Sequence, residues 1–173
     1  MHSAPTPRSP EKAVSGGAGD FDFFLGGWRV AHRRLKTRLR GSTEWDEFGG
    51  RCVTRKLLGG LGNVDDNILD LPAGAYRAVT LRSYDPNTNR WAIWWLDGRR
   101  PQQLDVPVTG SFEDGVGTFY ADDRFEGRDI RVRFLWTQTR TASPRWEQAF
   151  SADDGVSWES NWVMNFTPAE VTL

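Results

Sequence analysis

Few side chains in this sequence combine a reactive type with a setting that gives them work. Tyr84 and Trp91 flank the turn Asp85-Pro86-Asn87-Thr88-Asn89. Pairing them places Thr80, Arg82, Tyr84, Trp91, Ile93, Trp95 and Asp97 on one face of a hairpin, and Val79, Leu81, Trp94 and Leu96 on the other. A cation and a carboxylate among large rings suit a small-molecule pocket, where a few polar groups orient an apolar ligand. The competing reading is an arginine that lies over aromatics at the surface. If Arg82 points inward, its guanidinium must be paired or meet an anionic ligand group, because an unpaired buried charge is costly.

His32, in Trp28-Arg29-Val30-Ala31-His32, is the one histidine beyond His2. A single imidazole on a strand is either an acid, base or haem ligand, or a satisfied core or surface group. Asp97 beside Arg82, or Glu147 beside Glu159, would give a buried base next to a group that steadies negative charge, which is the equipment of a cofactor-free isomerase, cyclase or lyase. Asp65-Asp66 with Asn63 and Asn67 reads either as a hard-cation cluster or as a polar turn and strand start; it lacks the alternating carboxylates and distal Glu of a calcium loop. One cysteine, Cys52, and two histidines make neither an internal disulfide nor a four-ligand zinc site. No Gly-x-Ser-x-Gly and no Gly-x-Gly-x-x-Gly opening a helix is present, so no metal or cofactor is expected.

The elements that must hold these residues are strands. From Trp28 onward no helical pattern of ten residues occurs; period-two stretches alternate with turn chemistry. The expected strands are Trp28 to Lys36, Thr43 to Leu58 with a candidate break at Gly49-Gly50, Val64 to Leu69, Ala75 to Tyr84, Arg90 to Leu96, Gln103 to Phe112, Gly117 to Phe125, Asp129 to Thr137, Arg145 to Ser151 and Ser157 to Phe166. Ten strands joined by tight turns leave two exposed edges unless they curl shut, so the pattern predicts an all-β, antiparallel up-and-down barrel. Asp20 and Phe21-Asp22-Phe23-Phe24-Leu25 before Gly26-Gly27 predict a helical turn that plugs apolar rings into one end. Ser151-Ala152-Asp153-Asp154-Gly155-Val156-Ser157-Trp158 matches the Asp-box, a hairpin turn motif rather than a catalytic one. Centred on Asp154, that hairpin puts Trp146, Gln148, Phe150, Trp158, Ser160, Trp162, Met164 and Phe166 inside, with Glu147, Glu159 and Asn161 outside.

The chain of 173 residues suffices for one domain, expected over residues 20–173 behind a disordered tail of residues 1–19 rich in Pro and Gly. A net charge of −1 argues against a nucleic-acid binder. The start lacks a secretory pattern and no 18-residue apolar run occurs, so neither a membrane role nor export is expected, and the expected compartment is the cytoplasm. Of the 22 basic residues only Lys12, Lys36 and Lys56 are lysine; the rest are arginine, a bias that reads either as a GC-rich coding preference or as planar pairing with carboxylates and stacking on rings. The nine tryptophans either fill a wide β core or line a pocket for a flat ligand.

Taken in order, Phe21-Asp22-Phe23-Phe24-Leu25-Gly26-Gly27-Trp28, the Tyr84-Asp85-Pro86 hairpin with Trp91, and Trp146-Glu147-Gln148-Ala149-Phe150-Ser151 through Trp158-Glu159-Ser160-Asn161-Trp162 resemble the bacterial family called domain of unknown function 1579. The resemblance spans roughly Phe21 to Phe166, implies a lipocalin-like, calycin-type barrel, and transfers no catalytic residues. Leu25-Gly26-Gly27-Trp28 is also similar to the Gly-x-Trp start of lipocalins and nitrobindins, but haem-binding nitrobindins use a late histidine and no histidine follows His32 here. Three functions remain open. One is a small-molecule binder with Arg82, Trp91, Trp95, His32, Tyr84, Trp146 and Trp162 about the ligand. The second is the acid–base enzyme above. The third is a homodimer seamed through the Val79 to Leu96 hairpin around a packed barrel.

Overall fold

The computed structural model describes residues 16–173. The expected tail therefore lies outside the described residues except for Gly16 to Gly19, which enter the first turn: Asp20 Oδ1 accepts the Gly17 amide at 2.8 Å, and Ala18 packs on the core. The 3-10 turn Asp22–Phe24 follows. Ten strands then run β1 (Gly26–Leu35), β2 (Trp45–Leu57), β3 (Gly62–Leu71), β4 (Gly74–Asp85), β5 (Arg90–Asp97), β6 (Val108–Glu113), β7 (Val116–Phe125), β8 (Arg128–Thr137), β9 (Arg145–Ser151) and β10 (Glu159–Pro168).

Each strand pairs antiparallel with its sequence neighbours, and β1 pairs with β10 from Trp28 opposite Pro168 to Arg34 opposite Trp162, closing the barrel. Closure removes both sheet edges and their unpaired amides. The tight reversals carry the predicted residues. Asp114-Gly115 and Glu126-Gly127 both hold positive φ (49° and 78° in each), the backbone that matches strand twist in two-residue hairpins.

Four expectations shift. β2 runs unbroken through Gly49-Gly50. The β2–β3 reversal is made by Leu58–Gly60, so Asn63 belongs to β3 rather than to a turn. Pro101 and Pro107 lack ladder amides, so residues 98–107 form a loop and β6 starts at Val108 instead of Gln103. This leaves β5 and β6 joined at only three register positions, Trp91, Ala92 and Ile93 opposite Gly110, Thr109 and Val108. Finally, the β9–β10 register shifts between Ser160 and Trp162, so Asn161 is an extra residue. That bulge reverses parity: Glu159 lies opposite inward Phe150, while Ser160 lies opposite Ala149 and Trp158 stacks on outward Tyr120.

One end of the barrel is closed by rings. Phe21 sits edge-on to Trp91 and Phe112, both with centroids at 4.9 Å, and Phe24 packs on Trp28, Trp136 and Phe166. The outer wall carries charged pairs such as Arg33–Glu47 at 3.2 Å and Arg77–Asp66 at 2.9 Å. Among the described residues no helix is long and apolar enough to cross a membrane. The outer face of β4 and β5 carries Leu81, 37% exposed, beside half-buried Val79, Trp94 and Leu96.

Candidate functional site

The barrel encloses a cavity of about 400 Å³, within the range of small-ligand sites. One side of its wall is aromatic. Trp95 meets Trp162 edge-on at 5.8 Å, Trp162 meets Trp146 at 5.6 Å, and Trp146 meets Phe134 at 4.8 Å, with Phe150 and Met164 beside them; polar and charged residues line the floor and the mouth. Alternation places these side chains inward: Trp91, Ile93 and Trp95 on β5, Trp146, Gln148 and Phe150 on β9, and Trp162, Met164 and Phe166 on β10 beyond the bulge.

The floor is ionic. Arg82 points inward with Trp91, Ile93 and Trp95, and the Tyr84–Trp91 pairing is the observed register. Its Nη1 donates to Asp65 Oδ1 and, at 2.9 Å, to Asn63 Oδ1. Both charged side chains are only 4% exposed. Asn67 Nδ2 donates to Asp65 Oδ2 at 3.2 Å and to the Ala78 carbonyl at 3.3 Å. The faces of Phe21, Phe24 and Trp136 lie 5.0, 5.3 and 5.7 Å from the Arg82 guanidinium carbon. The cation therefore has an anion of its own, from a strand that the sequence reading assigned to a polar turn and strand start. The available signal was the period-two spacing of Asn63, Asp65 and Asn67, which marks a polar inner face. The same alternation puts Asp66 outside on Arg77, so Asp65 and Asp66 do not share a cation.

Of the other expected ligand residues, Trp95, Trp146 and Trp162 line the cavity along with Arg82; Trp91, Tyr84 and His32 do not. Trp91 Nε1 donates to Asp20 at 3.1 Å, and Tyr84 stacks on Trp91 with its hydroxyl donating to Asn89 at 2.9 Å, so both belong to the plugged end. His32 stacks on Phe48 at 4.7 Å behind the wall and accepts from Trp162 Nε1 at 3.2 Å through Nδ1. It thus orients a cavity ring. Gly50 makes the space: a Cβ there would lie 2.6 Å from His32 Nε2.

Burial, helped by the Arg34 charge, lowers the His32 pKa from 6.5 to about 3, so the imidazole is neutral. The unfolded chain binds its proton between those values and the folded chain does not, so stability falls as pH drops through that window. From pH 7 to pH 5 the wild type should lose about 2 kcal/mol from this residue, read as the shift of the urea midpoint. His32→Gln should lack that slope, and equal slopes in the two proteins would show that the imidazole is solvated.

Neither acid–base couple forms. Asp97 lies opposite Ala78 while Arg82 lies opposite Ile93, four residues or about 13 Å further along β4. Asp97 is instead gripped by Arg99 at 2.6 Å, which holds its carboxyl below the usual range. Glu147 is on the outer wall with Arg145 at 2.7 Å, whereas the bulge turns Glu159 to the inner rim, where its two oxygens accept the Leu39 amide at 2.8 and 3.0 Å. The carboxyl at the mouth that burial raises is Asp105, which no sequence signal singled out. The bulge also buries Asn161 fully; Gln148 Nε2 donates to its Oδ1 at 2.8 Å, and its Nδ2 has no partner. The Asp-box behaves as a turn: Ser157 N and Oγ donate to Asp153, whose carboxyl these bonds lower to about 2. Among the described residues no group of three or more His, Cys, Asp or Glu gathers to hold a metal.

Fold and site define a class: a closed, ten-stranded up-and-down barrel, plugged at one end, with a partly ring-walled interior cavity reached from the other. No family model and no curated protein matches the chain.

Proposed function

We propose that this barrel is a cytoplasmic, lipocalin-like binding protein for a small, largely apolar molecule with a flat ring system. The carrying observation is the cavity itself: about 400 Å³ remains open beside Trp95, Trp146 and Trp162, with the plug rings Phe24, Trp136 and Phe166 at its inner end. Three indole faces and edges match a flat apolar body, and Gln148 supplies a neutral polar contact on the same wall. Neither couple named for the acid–base reading forms, Asp97 with Arg82 or Glu147 with Glu159, which favours this reading over that one. The proposal includes membership of the domain of unknown function 1579 family, supported by the plug sequence, the barrel and the order of the tryptophan hairpins.

Tryptophan fluorescence reads it directly, because four of the nine indoles, Trp95, Trp136, Trp146 and Trp162, line the cavity. Titration with a set of naphthalene and indole derivatives should give saturable quenching with at least one member, and Trp162→Ala should weaken that binding about tenfold or more. Linear, unsaturable quenching across the whole set would oppose the proposal. Native mass spectrometry of the purified protein would supply the mass of any ligand retained.

A further inference from the structure

Of the guanidiniums that line the cavity, those of Arg34, Arg38 and Arg100 make no ion pair among the described residues, and of these three Arg34 and Arg38 are half-buried. Arg34, the last inward-facing residue of the β1 series Trp28, Val30, His32, lies over the Trp162 ring at 5.2 Å and over Phe48 at 5.5 Å. Arg38, in the loop that follows β1, lies over Phe150 at 5.6 Å and Phe125 at 5.9 Å. Both line the cavity and both are half-buried. Among the described residues no carboxylate comes within 4.0 Å of either, although ion pairs stud the rest of the wall.

The nearby acids form no ion pair with them. Glu159, close enough to Arg38 for its charge to raise the arginine's pKa, gives both oxygens to the Leu39 amide, Asp97 is held by Arg99, and Asp105 lies near Arg100, Asp123 and Asp97. The two arginines also feel each other: burial first, and Arg34 second, lower the Arg38 pKa to about 10. Like charges held together in a half-dry mouth are unfavourable until an anion joins them. A guanidinium that lies over rings and makes no ion pair suits a forked bond to a carboxylate or phosphate. Tyr76, whose hydroxyl lies close enough to Arg34 to feel its charge, adds a third polar group at the rim.

We infer that the cavity takes an anionic amphiphile, with a carboxylate or phosphate head held by Arg34 and Arg38 and a ring body against Trp95, Trp146 and Trp162. This rests on the binding reading above and names the chemistry of its ligand. Head and body are one molecule because Trp162 serves both: Arg34 lies over its ring, and the same residue lines the cavity against Trp95 and Trp146.

Calorimetric titration with 2-naphthoate, 2-naphthyl phosphate and the neutral 2-naphthalenemethanol tests the assignment. Wild type should bind at least one anion about tenfold or more tightly than the alcohol, and the better of the two anions identifies the head group. Arg34→Gln and Arg38→Gln should each weaken the anion about tenfold and leave the alcohol within about twofold; Arg131→Gln on the outer wall should change neither. Circular dichroism and melting of each variant guard against misfolding, and Arg34→Lys and Arg38→Lys, which keep charge but lose the fork, should fall between. Alcohol binding as tight as the anions, or anion binding unchanged in both glutamine variants, overturns the clamp and leaves the cavity reading standing. No saturable heat with any of the three overturns both.

Discussion

Asp65→Ala should destabilise the protein by about 3–5 kcal/mol, the range found when one partner is removed from a buried ion pair. Arg82 would keep its charge at the barrel floor with only Asn63 Oδ1 to accept from it, and its Nε already has no partner. The rings of Phe21, Phe24 and Trp136 offer a cation some attraction, but too little to stand in for a carboxylate. The urea midpoint measures the loss. Cys52 gives a second readout: it is fully buried, and burial together with the Asp65 charge pushes its thiol well up, so a thiol reagent should react slowly with wild type and faster as the floor opens. Replacing both Asp65 and Arg82 by leucine should cost less than Asp65→Ala alone, because no charge is then left behind. A loss under about 1 kcal/mol in the single variant would mean that water reaches the pair, contrary to its 4% exposure.

Phe21→Ala should cost a similar 3–5 kcal/mol. The ring is 1% exposed and touches Trp91, Phe112, Phe119 and Trp136, so the space it vacates is walled by rigid groups that cannot collapse into it. It also roofs Arg82 at 5.0 Å, so its removal should hydrate the ion pair from the plugged end. The two substitutions share that pair and should combine non-additively, with Phe21→Ala costing less in the Asp65→Ala background than in wild type. Near-ultraviolet circular dichroism should lose aromatic signal in Phe21→Ala, and Phe21→Leu should recover part of the stability. A change within 0.5 kcal/mol, the size expected of surface substitutions, would show that the first turn does not plug the barrel.

Both effects concern a buried network of which the sequence reading saw one half. That Arg82 shares a face with Trp91, Ile93 and Trp95 was legible because the Asp85 to Asn89 turn sets the register and register sets parity along the whole hairpin, but which face turns inward was not. Asp65 was not legible as its anion, because its neighbours Asn63, Asp66 and Asn67 resemble turn composition, and only the strand beginning at Gly62 shows that Asn63, Asp65 and Asn67 share the inner face. The last hairpin shows the opposite failure. Parity carried over from Trp146, Gln148 and Phe150 placed Trp158 and Ser160 inside, and one extra residue at Asn161 turned them out and brought Glu159 in. A bulge leaves no mark in an alternating pattern that already mixes polar and aromatic residues.

Local chemistry by itself determined the ten strands, most of their turns, the aromatic plug, the two-sided hairpins and the need for closure, since each depends on backbone preferences and a period of two within a few residues. The tertiary structure alone decided which strand supplies the anion for Arg82, how Trp162 comes to rest on His32, and how Arg34 and Arg38 meet at the mouth without a carboxylate. Arg34 carried a usable sign, since it shares the even parity of Trp28, Val30 and His32. Arg38 carried none: it lies in a loop, and its position over Phe125 and Phe150 is set by rings on β7 and β9, far away in the chain. Closing β1 onto β10 brings these distant segments together, and a charge's partner is determined by whatever closure sets beside it rather than by its neighbours in sequence.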